Sequence, residues 1–283
     1  MPYAVVFPGQ GSQQVGMASE LWDGEWFTEA GEVLGFDLAA LCRDGPAEEL
    51  QKTEHAQPAL FVAAYAAWAG SGLDAPAFVA GHSLGEYTAV AASGALTFAD
   101  ALRLVAERGR AMAAAGQENP GAMAALLGAS LEEAAALCAQ LEALWVANDN
   151  APGQVVVGGS EADIEWVGGQ VRRARRLAVS GAFHTPFMEP AAARLRQALG
   201  QASFFDPSVP VVTNVDAAAA ATAAEVADAL SRQLLSRVRF TESVRWMADH
   251  GVETFYCAGP GDAIAGMVKR IAPDAVTKEV PVQ

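Results

Sequence analysis

Short apolar segments alternate with longer helical patterns over the first 117 residues of the chain. Val5–Phe7 and Ala77–Ala80 have the composition and length of buried strands. Between them, Gln57–Ser71 is rich in alanine and predicts a long helix. Thr97, followed by Asp100 three residues later, predicts the capped start of a further helix. Strands that alternate with helices in this way indicate an α/β fold with a mostly parallel sheet.

The pattern changes between residues 118 and 183. Segments follow there in the order strand, helix, strand, strand, helix, strand, and the predicted strands are Met123–Leu127, Leu144–Ala147, Gln154–Val157 and Leu177–Val179. This order is that of the ferredoxin-like motif. We therefore expect an inserted ferredoxin-like α+β small domain at 118–183, and a discontinuous large domain formed by 1–117 and 184–283.

The remaining residues return to the alternation of strands and helices. Thr185 and Pro186 suit the N-cap and the first position of a helix. The further predicted elements are strand Val209–Thr213, helices Ala223–Leu235 and Thr241–His250, strand Thr254–Cys257 and a last helix from Asp262. The alanine run Ala217–Ala221 is expected to form a loop or the approach to a helix.

Composition narrows the class of protein. Hydrophobic residues make up 52% of the 283 residues, which is enough for a large buried core. No run of about 18 residues is free of glycine, proline and charge, so no membrane span is predicted. The N-terminal residues enter a predicted strand without a basic or apolar leader, so we expect a cytoplasmic protein. Cys42, Cys138 and Cys257 are widely spaced, which argues against a disulfide framework or a zinc site.

The formal net charge of the chain is −15. Such a surface repels nucleic acid and anionic membranes, so we expect neither as a partner. Against this background, four of the 18 basic residues fall within five positions; this basic cluster consists of Arg172, Arg173, Arg175 and Arg176. It is a candidate docking site for an acidic partner. The alternative is a solvated run that keeps a strand edge soluble.

The segment Gly81-His82-Ser83-Leu84-Gly85 lies between a predicted strand and a predicted helix. This is the G-x-S-x-G nucleophile elbow in its expected context, in which a tight turn exposes the serine hydroxyl. Ser83 is therefore the candidate nucleophile, and the N–H of Leu84 is a candidate oxyanion donor. The alternative is a glycine-rich turn that carries an incidental serine.

A serine nucleophile needs a base, and the chain has four histidines. His82 neighbours Ser83, but adjacent residues on a tight turn do not face each other. His55 lies on a polar approach to a helix, and His250 lies at a predicted helix C-terminus, where a cation is stabilised without any further function. His184 lies where a strand meets a helix start, so elimination makes it the candidate base. The alternative is a structural histidine at a domain junction.

Several motifs occur together in one order along the chain. The principal ones are Val5–Gln13 with its Pro-Gly-Gln-Gly loop, Gly81–Tyr87, Glu107–Met112 and Gly181–His184. Others are Gly45–Leu50, Thr53–Leu60, Asn150–Val156, Val211–Val215 and Gly259–Gly261. With these motifs, nearly the whole chain resembles the malonyl-CoA:acyl-carrier-protein transacylases of fatty-acid synthesis and the related acyltransferases of polyketide synthases.

The resemblance implies a hydrolase-like α/β core and a ping-pong transfer. Malonyl would pass from malonyl-CoA to Ser83, with His184 as base, and then to the phosphopantetheine thiol of an acyl-carrier protein. Coenzyme A thioester would be a substrate, and neither a metal nor a bound cofactor would take part. In the family a main-chain carbonyl orients the histidine, which motif matching places at Gln233. The family also implies that the N–H of Gln10 is the second oxyanion donor.

The resemblance also implies a set of substrate-binding residues. Arg108 would clamp the malonyl carboxylate, because a guanidinium pairs with both carboxylate oxygens; the alternative is a solvated helix arginine. Phe183, beside the base, would favour malonyl over methylmalonyl. The other matched positions near the cleft are His82, Met112, Asn150 and Asn214. Both asparagines are equally compatible with a turn or a backbone-bonding role.

Three other functions remain open from the sequence. An acyl hydrolase of the same fold would edit stalled chains, but it gains nothing from a buried cation such as Arg108. A malonyl-transferring subunit of a malonate decarboxylase would share the same site. A non-enzymatic module that binds a carrier protein would not need Ser83, His184 and Arg108 together. Because carrier proteins and coenzyme A are anionic, an enzyme with this net charge needs a local patch such as the basic cluster.

Overall fold

The computed structural model describes residues 2–281, which form two sheets surrounded by helices. The strands are β1 Tyr3–Phe7, β2 Phe78–Gly81, β3 Ala122–Leu127, β4 Leu144–Ala151, β5 Gln154–Gly159, β6 Ala174–Arg176, β7 Val211–Val212, β8 Ala219–Ala220, β9 Thr254–Cys257 and β10 Val276–Glu279. The helices are α1 Glu25–Leu34, α2 Leu38–Asp44, α3 Ala47–Gln51, α4 Thr53–Ala69, α5 Leu84–Ala92, α6 Phe98–Glu118, α7 Leu131–Cys138, α8 Glu161–Gln170, α9 Glu189–Leu199, α10 Ala223–Gln233, α11 Phe240–Asp249 and α12 Ala263–Ile271.

The larger sheet has the strand order β10-β9-β1-β2-β7-β8. All neighbours pair in parallel except β7 and β8, so the mixed α/β fold has a mostly parallel sheet, as predicted. β1 lies at its centre, and Ala4–Phe7 are fully buried because helices cover both faces of such a sheet. Phe7 pairs with Gly81, so the loops that follow β1 and β2 leave the same edge of the sheet.

The smaller sheet is antiparallel and has the strand order β4-β5-β3-β6. Alternate residues of β3 serve two different cores, as the period of a strand requires. Ala124 and Leu126 pack with residues of α7 and α8. Met123 and Ala125 belong to the core of the larger sheet. The smaller sheet is therefore packed between its own helices and the rest of the molecule.

Capping side chains define several helix starts, in agreement with the sequence. The Thr97 side chain accepts a hydrogen bond from the Asp100 N–H at the start of α6. Thr185 accepts one from the Phe187 N–H, although the helix there begins with a 3₁₀ turn, Pro186–Met188, before α9. Within the described residues, no helix combines the length and the apolar composition that crossing a membrane requires.

Two of the predicted elements are wrong. The strand predicted at Leu177–Val179 is β6, which lies three residues earlier, because an edge strand in contact with water is rich in arginine and not in apolar residues. The alanine run contains β8, because Ala217 adopts a positive φ of 52° and turns the chain back against β7. Helices α1–α3 and strand β10 had no predicted counterpart.

Candidate active site

Ser83 occupies a strained turn between β2 and α5, with φ 52° and ψ −103°. A Cβ atom on Gly81 would lie 1.9 Å from the carbonyl carbon of Gly85, and one on Gly85 would lie 2.2 Å from the Phe7 carbonyl oxygen. Both positions therefore require glycine. Non-glycine residues in such backbone conformations cluster at functional sites, and this geometry is that of the predicted nucleophile elbow.

The Ser83 hydroxyl faces His184. Ser83 Oγ lies 2.7 Å from His184 Nε2, and His184 Nδ1 lies 3.1 Å from the Gln233 carbonyl oxygen. A carbonyl can only accept, so Nδ1 carries the ring proton and Nε2 is free to accept the serine proton. The residues proposed as nucleophile, base and orienting carbonyl thus lie in one hydrogen-bonded line.

The other histidines have different surroundings. His82 turns away from the serine, and its Nε2 lies 2.7 Å from Asn150 Oδ1. His55 contacts Glu49 at the protein surface, although it lies within α4 and not before a helix. His250 caps the C-terminus of α11 and contacts the Trp246 carbonyl. The elimination made from the sequence therefore agrees with the geometry.

Burial controls the protonation state of the candidate base. His184 is 4% exposed. Desolvation, together with the charge of Arg108, lowers the pKa of the His184 imidazole to about 3. Burial also lowers the pKa of His82 below its ordinary value. His184 is consequently neutral at physiological pH, which is the form that a general base needs.

Arg108 lies on the buried face of α6 and is 1% exposed. Its Nη1 donates to Gln57 Oε1 at 2.7 Å, and its Nη2 donates to Ser83 Oγ at 3.0 Å. Its guanidinium carbon lies 5.5 Å from the centre of the Tyr87 ring. Among residues 2–281, no carboxylate pairs with this cation. A buried arginine without an anion, next to the candidate nucleophile, can receive an anionic group.

Arg103 and Arg110, on the same helix, differ from Arg108 in exposure and in ion pairing. Each is exposed and forms a surface ion pair, Arg103 with Asp100 and Arg110 with Glu107. The solvated role considered for Arg108 therefore belongs to these two neighbours.

The loop after β1 lies against the elbow. A Cβ atom on Gly9 would lie 2.6 Å from the His82 carbonyl oxygen, so the two loops touch. The N–H groups of Gln10 and Leu84, the two predicted oxyanion donors, have no hydrogen-bond acceptor among the described residues. Unpaired N–H groups at this edge of the sheet can stabilise a negatively charged oxygen.

A cleft of about 410 Å³ opens above Ser83, between the two sheets. The predicted site residues that line it are Gln10, His82, Ser83, Arg108, Met112, Asn150, Phe183 and His184. Leu177, Ala178 and Val179 also line it, so the segment predicted as a strand forms part of the cleft wall. Helix α12 contributes Ala263, Ile264 and Met267.

Asn214 lies beneath the elbow and is 1% exposed. Its Oδ1 accepts a hydrogen bond from the Ser83 N–H at 2.7 Å, and its Nδ2 donates to the Gly81 carbonyl at 2.6 Å. Asn214 therefore supports the turn from below, which is the backbone-bonding role considered for it from the sequence. Asn150, by contrast, lines the cleft and holds His82.

Two buried polar residues at the site were not singled out from the sequence. Gln57 is fully buried on α4 and joins Arg108 to the Gln10 side chain, which lies 3.4 Å from its Nε2. Glu86 is 1% exposed on α5, and burial raises the pKa of its carboxyl to about 7. Both lie within the matched motifs. A polar residue in an otherwise apolar helix is the sequence signal that could have identified them as site residues.

The basic cluster is exposed and spans the turn after α8 and strand β6. Arg176 pairs with Glu161, whereas Arg172 and Arg173 form no ion pair within the described part of the chain. Arg175 and Arg176 belong to β6, so only the first part of the cluster precedes this strand. It continues directly into the cleft-lining residues Leu177–Val179.

Comparison with known proteins identifies the family. The acyl transferase domain family matches residues 4–270. A malonyl CoA-acyl carrier protein transacylase of Escherichia coli (strain K12) is 45% identical, over 95% of this chain and 92% of the relative. The chain belongs to this acyl transferase family. The family expected from the motifs is thereby confirmed.

Solved structures of acyl transferases share the whole fold. The crystal structure of an acyl carrier protein S-malonyltransferase from Vibrio cholerae superposes with a TM-score of 0.94 at 41% identity, covering 100% of this chain and 98% of that one. A malonyl-transacylase in complex with a type II PKS acyl-carrier protein gives a TM-score of 0.93 at 38% identity, with coverage of 99% and 96%. The acyl transferase fold is therefore present over the full described length.

Proposed function

We propose that the protein is a malonyl-CoA:acyl-carrier-protein malonyltransferase that works through a malonyl-serine intermediate. The observation that carries this proposal is the buried Arg108, which pairs with no carboxylate among residues 2–281 and whose Nη2 lies 3.0 Å from Ser83 Oγ. An acyl group on Ser83 that ends in a carboxylate supplies the missing anion. The names of the relatives, which are malonyl transferases that act with acyl carrier proteins, support the same substrate and partner.

In the first half-reaction, Ser83 Oγ attacks the thioester carbonyl carbon of malonyl-CoA, and the hydroxyl proton moves to His184 Nε2. The carbonyl oxygen becomes an oxyanion and accepts hydrogen bonds from the N–H groups of Gln10 and Leu84. Collapse of this intermediate breaks the carbon–sulfur bond. His184 then returns the proton to the coenzyme A thiolate, which leaves malonyl-Ser83.

In the second half-reaction, the phosphopantetheine thiol of the carrier protein attacks the malonyl-Ser83 ester. Its proton moves to His184 Nε2, the carbon–oxygen bond breaks, and the proton passes to Ser83 Oγ. The Gln233 carbonyl accepts from Nδ1–H throughout and stabilises the imidazolium that forms. All proton transfers use this chain's own groups.

The remaining cleft residues fit roles in substrate selection. Phe183 is 6% exposed beside the base and lines the cleft. We infer that its ring occupies the space that an α-methyl group would need and so favours malonyl over methylmalonyl. One methyl group is worth only about 1–3 kcal/mol, which gives a preference and not an exclusion. Met112, His82 and Asn150 form further parts of the same wall.

The architecture around the site supports a division into two domains. We infer a ferredoxin-like small domain at 118–183, inserted into a large domain of 1–117 and 184–283. Support comes from the order of the smaller sheet: its strands, numbered along the chain, lie as second, third, first, fourth, with α7 and α8 on one face. The cleft lies between the two units.

The proposed function is tested by mixing the protein with malonyl-CoA alone and measuring its intact mass. A malonyl increment on the protein is expected before any carrier protein is added, and addition of a holo carrier protein should remove it and produce malonylated carrier. Binding without covalent change would indicate a carrier-binding module. Loss of the increment to water, with no malonylated carrier, would indicate a hydrolase. Carriers of fatty-acid and polyketide synthesis in parallel identify the pathway served.

Replacing Arg108 with alanine is expected to reduce the rate of malonyl transfer and to lower the ratio of the rates with malonyl-CoA and acetyl-CoA. The variant removes the only cation that we place near the acyl carboxylate, and discrimination through lost polar pairing reaches about 10⁴-fold. Competition between the two thioesters measures the ratio. Arg103→Ala, on the exposed face of α6, is the matched control and should leave the ratio unchanged. An unaltered ratio in Arg108→Ala would show that Arg108 does not hold the carboxylate.

We further infer that the basic cluster receives the acidic carrier protein or the phosphates of coenzyme A. Arg172 and Arg173 are exposed, lack ion-pair partners within residues 2–281 and lie where the chain leads into the cleft wall. In a protein of net charge −15, such a local patch steers an anionic partner toward the cleft.

The variant Arg172→Glu/Arg173→Glu is expected to raise the apparent KM for the carrier protein and to weaken its dependence on salt. Steering by exposed charges is lost when their sign is reversed and is screened by salt in the native protein. The control Arg103→Glu/Arg110→Glu makes the same change in net charge on α6 and should change KM less. An unaltered KM for the carrier protein in the first variant at low ionic strength would show that the cluster is a solvated surface without a docking role. Slower malonyl-serine formation from malonyl-CoA would point to coenzyme A and not the carrier.

A further inference from the structure

Glu86 is a buried carboxylate that the proposed reaction does not use. It lies one turn after Ser83 on α5 and is 1% exposed. Its Oε2 accepts from Gln233 Nε2 at 2.6 Å and from the Asn214 N–H at 3.2 Å. Within the described chain, no cation pairs with it directly. Burying a carboxylate without a paired cation is unfavourable, so its position beside the nucleophile calls for a role.

The Gln233 side chain connects Glu86 to the arginine clamp. Its Nε2 donates to Glu86 and also to the Ser83 carbonyl at 2.9 Å, while its Oε1 accepts from Arg108 Nη2 at 3.1 Å. The main-chain carbonyl of the same residue accepts from His184. One residue therefore contacts the nucleophile, the base and the proposed carboxylate clamp.

The chemistry of these partners permits only one orientation of the Gln233 amide. A guanidinium can only donate, so the amide oxygen must face Arg108. Glu86 Oε2 already accepts a hydrogen bond from a fixed backbone donor, the Asn214 N–H, so this oxygen is an acceptor in either protonation state of the carboxyl. The Gln233 amide must therefore present its nitrogen, and not its oxygen, to Glu86. The Ser83 carbonyl accepts only one of the two Gln233 amide hydrogens. Without an acceptor at Glu86 the second hydrogen would be buried without a partner, so the amide, and with it the oxygen that faces Arg108, would be held less firmly.

We propose that Glu86 is a positioning residue for malonyl specificity, which locks the Gln233 amide so that its oxygen holds Arg108 beside Ser83. This inference rests on the proposed function, because it assumes that Arg108 receives the malonyl carboxylate. Glu86 is not among the residues that line the cleft, so it acts through Gln233. Its loss therefore impairs malonyl more than acetyl, since acetyl carries no carboxylate for Arg108 to hold.

The test compares Glu86→Met, which keeps the length of the side chain but removes the acceptor, with Glu86→Gln, which keeps an oxygen. In Glu86→Met, kcat/KM for malonyl-serine formation is expected to fall about tenfold or more, the factor that corresponds to a lost hydrogen bond to a charged group. The malonyl-to-acetyl ratio falls with it. Glu86→Gln is expected to keep most of the wild-type kcat/KM and most of the malonyl-to-acetyl ratio. The control Glu107→Met removes a carboxylate that is bonded to Arg110 and Arg194 outside the cleft, and it should change neither kcat/KM nor the ratio.

A double-mutant cycle with Arg108→Ala isolates the proposed connection. In the Arg108→Ala background, Glu86→Met should change malonyl-serine formation far less than in the wild type, because the clamp that it positions is gone. Fully additive effects, or equal losses for malonyl and acetyl, would overturn the inference. If thermal unfolding shows that Glu86→Met does not fold, Glu86→Asp replaces it, since the shorter carboxylate cannot reach Gln233. A wild type that forms no malonyl-serine would instead refute the proposed function itself.

Discussion

Replacing Ser83 with alanine is expected to abolish the malonyl adduct that the wild type forms with malonyl-CoA. Ser83 Oγ is the hydroxyl that lies 2.7 Å from His184 Nε2, so its removal leaves the base without a nucleophile to activate. Loss of the nucleophile in a serine-histidine site lowers the rate by about 10⁶-fold. Intact-mass measurement after incubation with malonyl-CoA should therefore detect only unmodified protein, over times that modify the wild type fully.

The control for this variant is Ser180→Ala. Ser180 is exposed, and its hydroxyl contacts Thr53 Oγ1 and does not contact His184. This variant should therefore acquire the adduct at the wild-type rate. A malonyl adduct that persists in Ser83→Ala and maps to another residue would contradict the mechanism. Binding of malonyl-CoA to Ser83→Ala with undiminished affinity is compatible with it, because Arg108 and the cleft wall remain.

The parts of the site that the sequence predicts are those that one short segment builds by itself. A Cβ atom on Gly81 would clash with Gly85, four residues later, so this requirement is local to the strand–turn–helix segment, whereas Gly85 is restricted by Phe7 of the neighbouring strand β1. The sequence points to His184 as the candidate base because each of the other histidines has an independent local explanation. Such arguments need only the order of elements and the chemistry of single residues.

The connections between distant segments could not be predicted in this way. Glu86 and Gln233 are 147 positions apart, and their hydrogen bond exists because the chain packs α5 against the end of α10. Asn214 could be assigned to the neighbourhood of the cleft but not to its underside, since side-chain direction there depends on how β7 pairs with β2. The direction of a polar side chain is set by tertiary packing, which a single sequence does not display.

The position of β6 illustrates a conflict between two physical signals. The segment Leu177–Val179 is apolar and favours a buried strand, whereas Ala174–Arg176 is charged and forms one. The apolar residues are only partly covered, because they form the wall of the open cleft. Apolar composition alone therefore does not distinguish a buried strand from the wall of an open cleft.

Replacing His184 with alanine is expected to slow both half-reactions by about 10³–10⁴-fold, because one base serves each of them. The first half-reaction is measured as malonyl-serine formation from malonyl-CoA. The second is measured by isolating malonylated protein, adding carrier protein and following the decay of the adduct. His250→Ala is the matched control, since His250 caps α11 at the surface and should affect neither step.

The pH dependence of the wild type supplies a second readout of the same role. Burial and Arg108 lower the pKa of His184 to about 3, so the imidazole accepts a proton only as the pH falls toward that value. The neutral form, which acts as base, is therefore present at all higher pH values, and the rate of malonyl-serine formation should show no loss near pH 6.5. A histidine with its ordinary pKa of about 6.5 would lose half of its basic form there.

If His184→Ala slowed only the transfer to carrier protein, His184 would be a docking residue and not the base.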